Sequence, residues 1–159
     1  MKNAEIVSVG TELLLGQIVD THAPVMARLL AENGLACRRR VTVGDNLERL
    51  TEVLRESLAR AEVVVTIGGL GPTEDDLTRE AIAAALDEPL LHDPEVEAAL
   101  REFFAGRGLR WVESNQRQAM RPVSASLIEN PFGTAPGLHV RKGGRTLLAL
   151  PGPKGEFEP

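Results

Sequence analysis

Val63-Val64-Val65-Thr66-Ile67-Gly68-Gly69-Leu70-Gly71-Pro72-Thr73-Glu74-Asp75-Asp76 passes from five apolar or β-branched residues through a glycine-rich turn into three acids. The first five lack polar alternation, which predicts a strand buried on both faces, as the central strands of a parallel sheet are. The glycines let the backbone turn sharply and bring N–H groups close to a ligand. A helix expected to open at Thr73 adds a partial positive charge, so phosphate is the natural guest. The acids oppose a bare phosphate. A divalent cation such as Mg²⁺, held by carboxylates and shared with phosphate oxygens, resolves that conflict and points to a pyrophosphate.

Known phosphate loops fit poorly. A Walker A loop needs Lys-Ser or Lys-Thr after its last glycine, and no such pair occurs in the chain. Gly69-x-Gly71 begins a dinucleotide-binding pattern, but Glu74 stands where its third glycine belongs. Zinc is disfavoured, because the chain has one cysteine and His22, His92 and His139 are widely spaced. A purely structural reading of the acids also exists. In a first helical turn each complements the dipole by roughly 0.3 to 1 kcal/mol, and Asp75 has Arg79 at i,i+4 spacing.

Outward from this turn, strand and helix alternate. Glu5 to Gly10 reads as a buried strand, Ala23 to Asn33 as a helix closed by Gly34, and Leu35 to Val43 as a second strand. Arg38, Arg39 and Arg40 place that strand at an edge, with a solvated face. Leu47, Leu50, Leu54 and Leu58 repeat at helical spacing, so Asn46 is expected to cap a helix running to Arg60. The helix after the glycine turn is expected from Thr73, with Asp76 in capping-box position, to Leu86. Asp93-Pro94 starts another, with Val96, Leu100, Phe103 and Phe104 on one face. Repeated strand-helix units call for right-handed crossovers, a layered α/β sheet and a ligand beyond the carboxyl ends of the strands, where Gly10 and Gly68 both fall. The last third reads as a short helix at Ser114 to Met120, short strands at Val123 to Ile128 and Leu138 to Val140, a turn at Lys142 to Arg145, and a final strand at Thr146 to Leu150.

The 159 residues, 43% of them hydrophobic, fit one domain over 1–159. The net charge of -5 argues against nonspecific nucleic-acid binding, which rests on clustered Lys and Arg. Cys37 is alone, so no internal disulfide forms, and no run has the length of a membrane span or the plan of a signal peptide. A cytoplasmic address without membrane partners is expected. The turn at Pro151 to Pro153 leads toward a helix for which little sequence remains, so a fragment of a longer protein is expected.

Five motifs occur in order: Gly10-Thr11-Glu12-Leu13-Leu14-Leu15-Gly16, Gly68 through Thr78, Asn115-x-x-Gln118, Asn130-Pro131-x-Gly133-Thr134-Ala135-Pro136-Gly137, and Leu150-Pro151-Gly152-Pro153. Together they resemble the amino-terminal domain of the CinA, or competence/damage-inducible, protein family. That domain is similar to the molybdopterin-binding domains of molybdenum-cofactor biosynthesis proteins. The resemblance implies a three-layer α/β/α fold, a mostly parallel sheet, and metal-dependent hydrolysis of ADP-ribose to AMP and ribose 5-phosphate. It also implies a homo-oligomer whose partner is a small-molecule nucleotide diphosphate. Full-length members often carry a nicotinamide mononucleotide deamidase domain, to which nothing in this sequence corresponds.

On that resemblance Asp75 and Asp76 are candidate ligands of Mg²⁺, Mn²⁺ or Co²⁺, with Glu12 a further ligand or general base. Backbone N–H groups of Gly69 and Gly71 are expected to hold a phosphate, helped by the Thr11 and Thr73 hydroxyls and bordered by Gly10 and Gly68. Asn115 and Gln118, one helical turn apart, are candidates to read adenine or ribose. Gly133 and Thr134 belong to a loop able to close over the ligand, Pro151 and Gly152 to a third strand end, and Lys154 and Glu156 follow within reach. His22 occupies a place where family members commonly carry Asn. Two other functions remain open: molybdopterin binding or adenylylation, and a non-catalytic phosphate-binding and oligomerising module.

Overall fold

The computed structural model describes residues 1–159. Its elements, in order, are β1 (Lys2–Val9), α1 (Thr11–Leu14), α2 (His22–Glu32), β2 (Leu35–Val43), α3 (Leu47–Arg60), β3 (Val63–Ile67), α4 (Thr78–Ala85), β4 (Leu90–His92), α5 (Pro94–Gly106), a 3₁₀ segment (Glu113–Ala119), β5 (Met120–Pro122), β6 (Ala125–Ile128), β7 (Gly137–Lys142), β8 (Arg145–Leu150) and α6 (Lys154–Phe157). Six strands form one sheet in the order β2-β1-β3-β8-β7-β6. β2, β1, β3 and β8 run parallel, while β7 and β6 are antiparallel additions. β4 and β5 make a separate antiparallel ribbon.

The uninterrupted apolar character of β3 has the expected cause. Val64 packs with Val7, Leu50, Leu54, Ile82 and Leu147 on one face of the sheet, and Val65 and Ile67 pack with Ile6, Ala23 and Leu30 on the other. Alternate side chains therefore enter two cores, which puts helices on both faces and makes three layers. Full burial of a Val or Leu side chain stabilises the fold by roughly 1.5–3 kcal/mol.

Two expectations need correction, and one strand pairing was not among them. The helix after the glycine turn begins at Thr78, because Thr73 and Asp76 are consumed by a closed loop: the Thr73 N–H and hydroxyl both donate to Asp76 Oδ2, at 2.9 and 2.7 Å. The acids are thus loop residues, and Asp75 has no ion pair with Arg79. Arg38 and Arg40 are exposed on the edge strand as expected, but Arg39 is half-buried and reaches 3.2 Å to Glu5, a buried acid that also meets Arg60 at 3.4 Å. Finally, the β4–β5 ribbon had no local signal, its strands being three residues each and far apart in sequence. No helix is long and apolar enough to cross a membrane.

Candidate active site

Parallel strands end together, so the loops that follow β1, β3 and β8 share one edge of the sheet. Two backbone bonds draw those ends tight: Gly10 N–H donates to the Val43 carbonyl at 2.9 Å, and Gly68 N–H to the Leu150 carbonyl at 2.9 Å. Between them lies a cavity of about 520 Å³, bordered by Glu12, Gly68 to Pro72, Asp76, Gln118, Thr134 and Pro151 to Pro153. That volume lies within the usual range for small-molecule sites, roughly 300–1,000 Å³.

The glycine loop is anchored from beneath. Gly68 and Gly69 hold φ values of +101° and +73°, conformations that residues with a Cβ rarely adopt. The Thr78 hydroxyl donates to the Gly68 carbonyl at 2.8 Å, the Thr78 N–H to the Gly69 carbonyl at 3.2 Å, and the Arg79 guanidinium to the carbonyls of Leu70 and Gly71. In a trans peptide the N–H points opposite to the C=O, and the chain has no cis bonds. With those carbonyls turned toward α4, the N–H groups of Gly69, Leu70 and Gly71 point the other way and make no backbone hydrogen bond. Pro72, which follows, has no N–H to orient. Successive amides facing one way make an anion-binding concavity.

The structure brings Glu12, Gly68, Gly69, Gly71, Asp76, Gln118, Thr134, Pro151 and Gly152 to this cavity, and Glu156 with them. Gly133 stands just behind: a Cβ there would strike Glu156, whose Oε1 accepts from Asn130 Nδ2 at 2.9 Å. The other candidates serve elsewhere. Gly10 lies outside the lining, in the β1 turn. The Thr11 hydroxyl accepts from Asp45 N–H at 3.0 Å, and Thr73 is tied to Asp76. Asn115 Oδ1 accepts from Val112 N–H at 3.0 Å, capping the 3₁₀ segment. Asp75 is exposed and outside the lining.

No three His, Cys, Asp or Glu side chains gather closely enough to hold a metal ion, so a centre made of Glu12, Asp75 and Asp76 together is not formed. Of these three, Glu12 and Asp76 line the cavity beside the glycine loop. That donor set suits a hard cation that takes one or two carboxylates and draws its remaining oxygens from phosphate and water, as Mg²⁺ does.

Gln118 is buried and donates through Nε2 to the Thr134 hydroxyl at 2.9 Å, while its Oε1, an acceptor, has no partner. Ser8, Asp20 and His22 also border the cavity. Asp20 receives the Ser8 hydroxyl at 2.5 Å and the N–H groups of His22 and Ala23 at 3.1 and 3.0 Å, so it caps α2. His22 Nε2 lies 2.7 Å from the Gly152 carbonyl and must carry the proton, because a carbonyl only accepts. Two neighbours of the glycine loop escaped the sequence reading as site residues. Thr78 stands at the end of a motif, and Arg79 enters only through its i,i+4 spacing from Asp75. The available signal was spacing, since Ile82, Ala83 and Leu86 follow Arg79 at i+3, i+4 and i+7 and place it on the inward face of α4.

A family model described as probable molybdopterin binding domain matches residues 5–159. The solved structure of the protein CinA from Thermoplasma acidophilum, described as of unknown function, superposes with a TM-score of 0.92 at 36% identity, covering 99% of this chain and 93% of that one. The chain belongs to the CinA family. CinA-like proteins of Deinococcus deserti and Deinococcus radiodurans are 49% and 50% identical over 98% and 97% of the chain, which spans 39% of the length of each. The molybdopterin biosynthesis enzyme MoaB of Thermus thermophilus shares the fold with a TM-score of 0.63 at 25% identity, covering 99% of this chain and 86% of that one. This CinA-family domain is therefore a molybdopterin-binding-like α/β fold whose cavity opens at the carboxyl ends of β1, β3 and β8.

Proposed function

We propose that this domain hydrolyses the anhydride of a nucleoside diphosphate of the ADP-ribose type, giving AMP and ribose 5-phosphate. The observation that carries the reading is one cavity lined by Gly69, Leu70 and Gly71, whose amides make no backbone hydrogen bond, and by the carboxylates of Glu12 and Asp76. The amides suit phosphate oxygens, and a divalent cation, when bound, would neutralise the phosphates and acidify a water. Glu12 and Asp76 would hold that ion through carboxylate oxygens. Glu12, exposed where it borders the cavity, would also take a proton from the attacking water. Attack on one phosphorus breaks its bond to the bridging oxygen, which leaves on the other phosphate. The unpartnered Gln118 Oε1 can accept from a base or sugar donor.

A product assay tests this directly. Purified protein is incubated with ADP-ribose, FAD, NAD and molybdopterin across Mg²⁺, Mn²⁺ and Co²⁺. AMP from ADP-ribose supports the reading, whereas tight binding without any cleavage sinks it. Molybdopterin binding or adenylylation is the second reading, favoured by the family's description and by the likeness to a molybdopterin biosynthesis enzyme. Adenylylated product from molybdopterin and ATP would establish it instead.

A further inference from the structure

Arg79 is 1% exposed and forms no salt bridge, although Glu80 and Asp76 lie near enough to act on its charge. Its guanidinium donates to the carbonyls of Leu70 and Gly71, and its Nε has no partner. The nearby acids are engaged elsewhere: Glu80 with Arg117 at 2.8 Å, and Asp76 with Thr73. Burial pushes the Arg79 pKa down to about 10 against the opposing fields of Glu80 and Asp76, so the group is charged at neutral pH. Glu80 and Asp76 offset that burial without touching the guanidinium, and burial outweighs them. Arg79 lies behind the loop, and its grip on the Leu70 carbonyl helps to set the direction of the Gly71 N–H.

We infer that Arg79 is a positioning residue for a polyanion in the cavity: held behind the glycine loop by the Leu70 and Gly71 carbonyls, it acts through its positive charge, which a bound pyrophosphate group answers. This rests on the anion-binding half of the proposed function and is independent of whether the anhydride is cleaved. Peptide dipoles alone would bind an anion weakly in the company of Glu12 and Asp76. A full charge in a low-dielectric layer beneath them shifts the balance, because its field is poorly screened there.

The test compares Arg79→Lys, which keeps the charge, with Arg79→Gln, which removes it; both lose the guanidinium fork. Inorganic pyrophosphate is titrated with Mg²⁺ in excess, and affinity is read from the rise in melting temperature, which reports the folded fraction alone. The Lys variant is expected to stay within about threefold of the parent, and the Gln variant to bind about tenfold or more weakly, a 1.4 kcal/mol difference. Equal losses in the two variants would reduce Arg79 to a structural brace and overturn the inference, as would a Gln variant that binds like the parent. Should the Gln variant fail to fold, the Lys variant decides alone, a loss beyond about threefold being fatal. If the parent binds pyrophosphate in this Arg79-dependent way but leaves ADP-ribose intact, the inference stands and only the hydrolytic reading fails.

Discussion

The Thr78 hydroxyl donates to the Gly68 carbonyl oxygen at 2.8 Å in the protein interior, closing the glycine loop onto the first residue of the helix that follows it. Thr78→Val keeps the shape and removes the donor, leaving a buried carbonyl unsatisfied. That loss should cost about 1–3 kcal/mol of stability, read from denaturant unfolding. Pyrophosphate affinity should fall as well, since the Gly69 N–H direction is fixed by the same contact.

Gly69→Ala attacks the same contact from the other side. The residue holds φ +73°, and a Cβ there would collide with Thr78 Oγ1. The left-handed conformation costs a non-glycine residue roughly 1–2 kcal/mol, to which the collision adds. The variant should therefore unfold more easily than Thr78→Val and show no pyrophosphate-dependent rise in melting temperature. Parental binding by Gly69→Ala would remove the loop from the site.

The residues that were legible in the sequence are those whose role is local. Val63 to Ile67 declare a buried strand by composition, Asn46 and Asp93 declare helix starts, and both cap as expected, Asn46 accepting from Arg49 N–H at 3.0 Å. Illegible were contacts that depend on how the glycine loop folds back. Thr73-x-x-Asp76 has the spacing of a capping box and makes the hydrogen bond such a box would make, but within a loop rather than at a helix start. Asp75 and Asp76 look equivalent in the sequence, and only the path of the loop turns one to the cavity and the other to solvent. The β4–β5 pairing was hidden for a different reason, since short strands gain most of their definition from a distant partner.

Asp93 links pH to stability. The Val96 N–H above all, then Arg121 and the Glu95 N–H, hold its carboxyl below the ordinary value of 3.8, against the opposing effect of burial. A depressed folded-state pKa means stability that is fully present above the unfolded value and lost as pH falls through the folded one. The melting temperature should thus decline below about pH 4. Asp93→Ala should flatten part of that acid limb while lowering neutral stability by about 1 kcal/mol through the lost cap of α5.

Glu12 and Asp75 provide the sharpest contrast for the proposed chemistry. Glu12 borders the cavity, whereas Asp75 lies outside its lining with its side chain in solvent. Glu12→Gln preserves size and removes the charge and the basic oxygen. If Glu12 takes the proton of the attacking water or helps to hold a cation, ADP-ribose hydrolysis should fall by about 10²-fold or more, with the melting temperature little changed. Asp75→Asn should hydrolyse at close to the parental rate, because its carboxylate reaches neither the glycine-loop amides nor the cavity. The reverse pattern, with Asp75 essential and Glu12 dispensable, would mean that the loop rearranges when ligand binds and that the cavity wall seen here is not the reacting one.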